Sequence, residues 1–180
     1  PNIEDLESKN KSSKPLLVPE KNEFIVLNKP KSIAAESFKA LRTRVQYSKI
    51  GSDTLRTILI TSSIPGEGKS LVCVNLAGSF AQIDKKVLLI DCDLRKPRIH
   101  TIFSKNKFPG ISDYLFSNVT LEEIIRPTST ENLSFATSGT IPPNPSELLG
   151  SNQMKDFIKL VKSKYDLIIF DSPPYLSVTD

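Results

Sequence analysis

The sequence predicts an α/β fold: a mostly parallel sheet covered by helices on both faces. Three observations predict it. Short apolar runs recur at Thr57–Thr61, Val87–Ile90, Leu133–Thr137 and Leu167–Phe170, each of strand rather than helix length. Helical periodicity fills most of the intervals between them. Two of the runs end directly in aspartates, Asp91 and Asp171. Strand, helix, strand alternation with connections of this length gives right-handed crossovers and parallel pairing.

At 180 residues the chain suits one domain with a flexible arm, and it can bury a substantial core. No apolar run approaches the ~18 residues of a membrane-spanning helix, and the start has no signal-peptide core, so a cytoplasmic protein is expected. Cys73 and Cys92 lie in apolar patterns without metal-ligand spacing and read as reduced core residues. The first 50 residues hold ten Lys and Arg against six Asp and Glu, whereas the remainder holds fourteen of each. That excess is too mild, and too poor in aromatics, to predict a nucleic-acid partner. An acidic membrane surface or acidic partner stays open.

Residues 1–31 read as a flexible basic arm, with a short extended segment at Phe24–Leu27 closed by Asn28-Lys29-Pro30. From Ser32 to Tyr47 the period turns helical. Ile33, Phe38, Leu41 and Val45 form an apolar stripe, while Glu36, Lys39 and Arg42 stand three apart on another face as mutual neighbours. On spacing alone such a row is more often a solvated face than a contact. Thr57–Thr61, uncharged and aliphatic or β-branched, looks like a strand buried on both faces.

Directly after it, Ser63-Ile64-Pro65-Gly66-Glu67-Gly68-Lys69-Ser70 fits Gly-x-x-x-x-Gly-Lys-Ser/Thr, except that Ser63 takes the place of the first glycine. The motif has meaning only between a strand and a helix. Here Leu71, Val72, Val74 and Leu76 continue as a helix, with Ala77, Gly78 and Ser79 small enough to pack on a sheet. The stretch therefore predicts a phosphate-binding loop, and the fold becomes P-loop NTPase-type. ATP and Mg²⁺ are the expected ligands. The expected nucleotide contacts are Pro65, Gly66, Glu67, Gly68, Lys69, Ser70 and Leu71: backbone amides around the phosphates, Lys69 on the β- and γ-phosphates, and the Ser70 hydroxyl on Mg²⁺.

Val87–Ile90 runs into Asp91-Cys92-Asp93, two carboxylates two residues apart at the end of a strand where open α/β sheets bind ligands. Alone they would be a solvated strand exit; beside a predicted phosphate site they read as functional. His100, the single histidine, has no nucleophile to pair with and receives no role. Helices are expected over Ile111–Phe116 and Leu121–Ile125, then the Leu133–Thr137 strand and a proline-bearing loop from Ser138 to Pro145. Ser146 is expected to cap a short helix through Leu149, followed by a longer one over Asn152–Ser163. Asp171, closing the last apolar strand, is the expected water-mediated Mg²⁺ partner.

Three motifs in this order resemble those of the bacterial tyrosine kinases: Ser62 to Ser70, Leu88-Leu89-Ile90-Asp91-Cys92-Asp93-Leu94-Arg95, and Leu167-Ile168-Ile169-Phe170-Asp171-Ser172-Pro173. The likeness extends to Glu36–Thr43, Gly110–Asp113 and Pro142–Leu149, so it runs from about Ile33 to the end. It implies an ATP-dependent protein-tyrosine kinase, acting on itself and on tyrosine-containing proteins, that regulates capsular or exopolysaccharide synthesis and export. It implies Lys69, Asp91, Asp93 and Asp171 as catalytic residues, with Ser70, Asp93 and Asp171 on Mg²⁺ and Asp91 facing the incoming tyrosine hydroxyl.

The same resemblance implies a homo-oligomeric ring through Glu36, Lys39 and Arg42, where Lys39 replaces an arginine and loses its bidentate fork. A membrane-anchored activator, the polysaccharide co-polymerase subunit, would recruit the protein to the inner face of the cell membrane. Residues 32–180 would form a P-loop kinase domain lacking its C-terminal part and tyrosine-rich tail, with Tyr47, Tyr114, Tyr165 and Tyr175 structural. The alternative is a nucleotide switch of the division-site and plasmid-partition type. Those ATPases share the double aspartate but carry a second lysine where Ile64 stands. A nucleotide-binding regulator without transfer activity is the remaining reading.

Overall fold

The computed structural model describes residues 22–48, 55–116 and 118–177. Most of the expected basic arm, residues 1–21, lies outside them. In chain order the elements are α1 (Ile25–Asn28), α2 (Ile33–Tyr47), β1 (Thr57–Ile60), α3 (Lys69–Ala81), β2 (Val87–Asp91), α4 (Ile99–Ile102), α5 (Ile111–Leu115), α6 (Leu121–Ile124), β3 (Ile125–Pro127), β4 (Leu133–Ala136), α7 (Pro145–Leu149), α8 (Asn152–Lys164) and β5 (Leu167–Asp171). A 3₁₀ turn follows at Tyr175–Ser177.

The strands order β1-β5-β2-β4-β3, parallel throughout except for β3, which pairs antiparallel with β4. Side-chain alternation explains the layers. Val87 and Leu89 of β2 and Leu167 and Ile169 of β5 pack on α1 and α3, while Leu88, Ile90, Ile168 and Phe170 pack on α5, α6 and α8. The expected architecture, a mostly parallel sheet covered on both faces, is present.

Several local expectations differ. The Phe24–Leu27 run is a helical turn rather than an extended segment, because Phe24 and Val26 are fully buried against α3. Gly78 permits this: a Cβ there would stand 2.4 Å from the Phe24 ring. Its smallness thus serves α1, not the sheet. Asn75 fixes the turn further, accepting from the Val26 amide at 3.0 Å and donating to the carbonyls of Glu23 and Leu71 at 2.8 Å each. Burying a Phe of this kind contributes about 2–3 kcal/mol.

Among the described residues β1 lies at the edge of the sheet and its expected two-sided burial is not met; Leu59 is 67% exposed. On α2, Phe38 and Val45 pack inward beside buried Ala35, but Ile33 is 89% exposed and Leu41 also faces out. Ile125 opens β3 instead of closing the preceding helix, and Asn144, with Pro145 at the first helical position, precedes α7 in place of Ser146. Cys73 and Cys92 are free and buried, as expected.

Candidate active site

β1, β5 and β2 lie side by side and parallel, so their C-terminal ends open at one place. Strand register makes Asp171 the neighbour of Ile60 on one side and of Asp91 on the other. The loop after β1 thus meets both carboxylate-bearing ends.

That loop curls because Gly66 and Gly68 hold φ of 88° and 85°, which only glycine adopts without strain. An added Cβ at either would meet nothing within 4 Å, so backbone angle and not crowding demands glycine, and the space above the loop is open. Gly68 is the N-cap of α3, whose first-turn amides at Lys69, Ser70 and Leu71 have no partner within the helix. Unpaired amides at the positive end of a 13-residue helix form an anion site. Ser172 and Tyr175 tie the loop to the end of β5, donating their amides to the carbonyls of Ile60 at 3.1 Å and Ser62 at 2.8 Å.

Glu67 does not point into this space. Its Oε2 accepts from the amides of Ser63 at 2.8 Å and Ile64 at 3.2 Å, so the carboxylate braces its own loop. Ser63, at the place of the missing first glycine, is one of the two residues it holds.

Lys69 Nζ lies 3.2 Å from Asp93 Oδ2, and Asp93 Oδ1 accepts from the Lys96 amide at 2.9 Å. Asp91 is fully buried; its Oδ2 accepts from the amides of Arg98 at 3.1 Å and Ile99 at 3.0 Å, while Oδ1 has no partner. Burial, and then the neighbouring Asp171 charge, push the Asp91 carboxyl well above its ordinary range. Asp171 is also buried, and neither oxygen makes a hydrogen bond of ordinary geometry, although the Ser70 hydroxyl and Cys73 thiol are close enough to favour its charge. Burial raises its pKa as well. Cys73 and Cys92, next to these carboxylates, have thiols pushed far up by burial and stay protonated.

A cleft of about 590 Å³ opens here, lined by the phosphate loop, Lys69, Ser70, Asp93, Pro173 and Pro174. Asp91 sits behind that lining rather than facing it, because the first amides of α4 hold it. The opposite wall, Glu23, Arg95, Lys96, Arg98 and Ile102, was not assigned from sequence. The signal available was the basic run directly after Asp93.

The residues present suit a hydrated divalent cation. Among the described residues three buried carboxylate oxygens lack hydrogen-bond partners, and Ser70 stands beside Asp171. Among the described residues no group of three or more His, Cys, Asp and Glu is arranged to hold a metal alone. Mg²⁺ fits that donor set, because it keeps several waters and shares phosphate oxygens.

On α2, Lys39 pairs with Glu36 at 2.7 Å and both side chains reach solvent. Arg42 is half-buried, and its Nη1 donates to the Ser79 carbonyl at 2.8 Å, linking α2 to α3. Tyr114 packs its ring at a tilt against Phe157, as a structural tyrosine should, but Tyr47 and Tyr175 are more than three-quarters exposed.

Comparison with known proteins places this geometry. The family described as AAA domain matches residues 55–180. Tyrosine-protein kinase YwqD of Bacillus subtilis (strain 168) is 42% identical over 156 residues, covering 87% of this chain and 65% of the relative. Putative tyrosine-protein kinase CapB of Staphylococcus aureus is 37% identical, covering 86% and 68%. Against tyrosine-protein kinase wzc of Salmonella typhimurium, 36% identical, the chain spans 22% of the relative's length. The crystal structure of the chimerical protein CapA2B2 superposes with a TM-score of 0.84 at 36% identity over 92% of this chain and 73% of that one. The septum site-determining protein MinD of Pyrococcus horikoshii, complexed with Mg-ADP, is more distant, with a TM-score of 0.57 at 28% identity over 67% of this chain and 50% of that one.

Proposed function

This chain belongs to the bacterial tyrosine-kinase family, whose P-loop domain binds nucleotide, and on that premise we propose that it is an ATP-dependent protein-tyrosine kinase. The observation that supports this most is the meeting of the phosphate loop with Asp91, Asp93 and Asp171 at the ends of three neighbouring strands. The activity serves capsular or exopolysaccharide synthesis and export, with a membrane-anchored activator subunit as partner at the inner face of the cell membrane. Among the described residues no helix is long and apolar enough to cross a membrane, which leaves anchoring to such a partner or to sequence beyond them.

In the reaction, the bond between the γ-phosphorus and the ADP oxygen breaks as one forms to the phenolic oxygen, and the phenolic proton leaves. Pro65 through Leu71 wrap the phosphates, and Lys69 turns from Asp93 to the β- and γ-phosphates. Ser70, Asp93 and Asp171 would hold Mg²⁺, which neutralises phosphate charge when bound. Asp91 takes the proton on its unpartnered Oδ1 through one water, since it lies behind the cleft wall. Tyrosine titrates near ~10, so a carboxylate is a feeble base for it, and Asp91 orients the hydroxyl and takes its proton late. Glu36, Lys39 and Arg42 on α2, beside exposed Ile33, would contribute a ring contact.

Incubation of the protein with MgATP, with and without the activator, should yield phosphotyrosine. Lys69→Met should abolish it while leaving the circular-dichroism spectrum intact. Transfer at the wild-type rate in Lys69→Met would overturn the site. ATP hydrolysis without any phosphotyrosine would favour the nucleotide switch.

A further inference from the structure

The cleft wall beyond the aspartates is basic. Arg95, Lys96 and Arg98 line it and are exposed. They sit on the loop leaving β2, which β5 separates from β1 and its phosphate loop. In phosphoryl transfer the attacking and leaving oxygens stand roughly in line across phosphorus. With the leaving ADP held at the β1–α3 junction, the acceptor enters from the β2 side, along this wall.

The chain already lays one of its own carboxylates there. Glu23 Oε1 lies 3.2 Å from Arg98 Nη2, and the backbone carbonyl of Glu23 is anchored by Asn75 at 2.8 Å. Both side chains keep solvent access, 34% for Glu23 and 59% for Arg98, so the pair can exchange. The Arg98 amide itself contacts the Asp91 carboxylate at 3.1 Å. Its guanidinium therefore lies within about one side chain's length of the Asp91 carboxylate, a span that one to three residues of extended peptide cover at about 3.3 Å each.

We propose that this wall is an acceptor subsite for an acidic peptide: an Asp or Glu within three residues of the accepting tyrosine displaces Glu23 and pairs with Arg98, with Arg95 and Lys96 adding attraction. The proposal rests on the kinase reading above and names its substrate class. A carboxylate in that position gains a cation at the cost of an exposed intramolecular pair, and exposed pairs are weak and easily broken.

The test uses the whole protein with MgATP and matched tyrosine peptides flanked by Glu or by isosteric Gln. The Glu peptide should show a KM lower by about two- to fivefold per engaged charge, an advantage that fades as salt rises. Glu23→Gln should lower the KM of the Glu peptide by more than that of the Gln peptide. The double variant Arg95→Glu, Lys96→Glu should reverse the preference towards Lys-flanked peptides. Equal KM for the Glu and Gln peptides in the wild type would overturn the subsite. So would a double variant that raises the KM for ATP and slows every peptide alike, which assigns these cations to the nucleotide. Anisotropy binding of the same peptides, with a non-hydrolysable ATP analogue, separates the two claims. Preferential binding of the Glu peptide without any phosphotyrosine keeps the subsite and overturns the kinase reading.

Discussion

Two groups of buried aspartates lie at the C-terminal side of the sheet, and they use their oxygens in opposite ways. Asp113, 4% exposed, accepts from the Gly110 amide at 2.8 Å and from the Thr140 amide at 3.2 Å. Around it, the amides of Ile111 and Ser112 bond the carbonyls of Thr137 and Ser138, and a Cβ at Gly139 would stand 2.3 Å from the Asp113 carboxylate. The carboxylate is sealed into a joint between the start of α5 and the end of β4. Asp91 and Asp171 are just as buried, yet three of their four oxygens have no partner. Burial alone does not mark a functional carboxylate. Unspent acceptor capacity singles out Asp91 and Asp171, because a buried charge left unpaired persists only where something else is to compensate it, whereas Asp93 is paired with Lys69.

The sharpest break of this comparison is one isosteric change made at both places. Asp113→Asn keeps one carbonyl oxygen for the Gly110 and Thr140 amides, which both point at Oδ2, but replaces a charged acceptor by a weaker neutral one, and it should cost about 1 kcal/mol in urea unfolding. Asp171→Asn removes an uncompensated buried charge and should raise the stability of the nucleotide-free protein by about 1 kcal/mol. The same variant should lose most of the thermal shift that MgATP gives the wild type, while Asp113→Asn should keep it. If both changes destabilise the nucleotide-free protein equally, the distinction between the two groups fails.

A smaller effect follows from pH. Asp91 and Asp171 have folded-state pKa values raised above their unfolded ones, so the folded protein binds more protons as they titrate. The stability tied to them is fully present below the ordinary carboxylate range and is lost as pH rises through the raised values. Melting of the nucleotide-free wild type should therefore fall more steeply across that window than melting of Asp171→Asn. MgATP should flatten the wild-type fall. A variant curve parallel to the wild type would mean that Asp171 contributes nothing to it.

Against this background, what the sequence made legible can be separated from what it did not. The strand ends carrying Asp91 and Asp171 were legible because an apolar run closed by a carboxylate is a local pattern, and the phosphate loop because its glycines are demanded by local backbone angles. The place of β1 at the edge of the sheet formed by the described residues was not legible. Thr57–Ile60 has the composition of a central strand, and only the strand order shows Leu59 in solvent. The turn at Phe24–Leu27 is hidden for a related reason: four apolar residues fit a strand or a buried turn equally, and Gly78 and Asn75, some fifty residues on, decide between them. The basic wall of the cleft was visible as a run of charges, but nothing local showed that Glu23 would stand across from Arg98.

Glu67 gives the finest test of the same principle, inside the phosphate loop itself. The expected nucleotide contact of Glu67 is through its backbone amide, and its carboxylate's acceptor capacity is spent on the amides of Ser63 and Ile64. Those amides are exposed, so in Glu67→Ala water replaces the carboxylate and stability should change by no more than about 0.5 kcal/mol. What is lost is the fixed shape of the loop before a phosphate arrives. The Kd for MgATP, measured by calorimetry, should rise about three- to tenfold, since the binding energy must then order the loop as well. Glu67→Gln retains one carbonyl acceptor in the same place and should recover part of that loss, with an unchanged Mg²⁺ requirement. A residue that touched the cation or the phosphates directly would behave otherwise: Gln would be no better than Ala, and the Mg²⁺ concentration needed for half-maximal binding would shift in both.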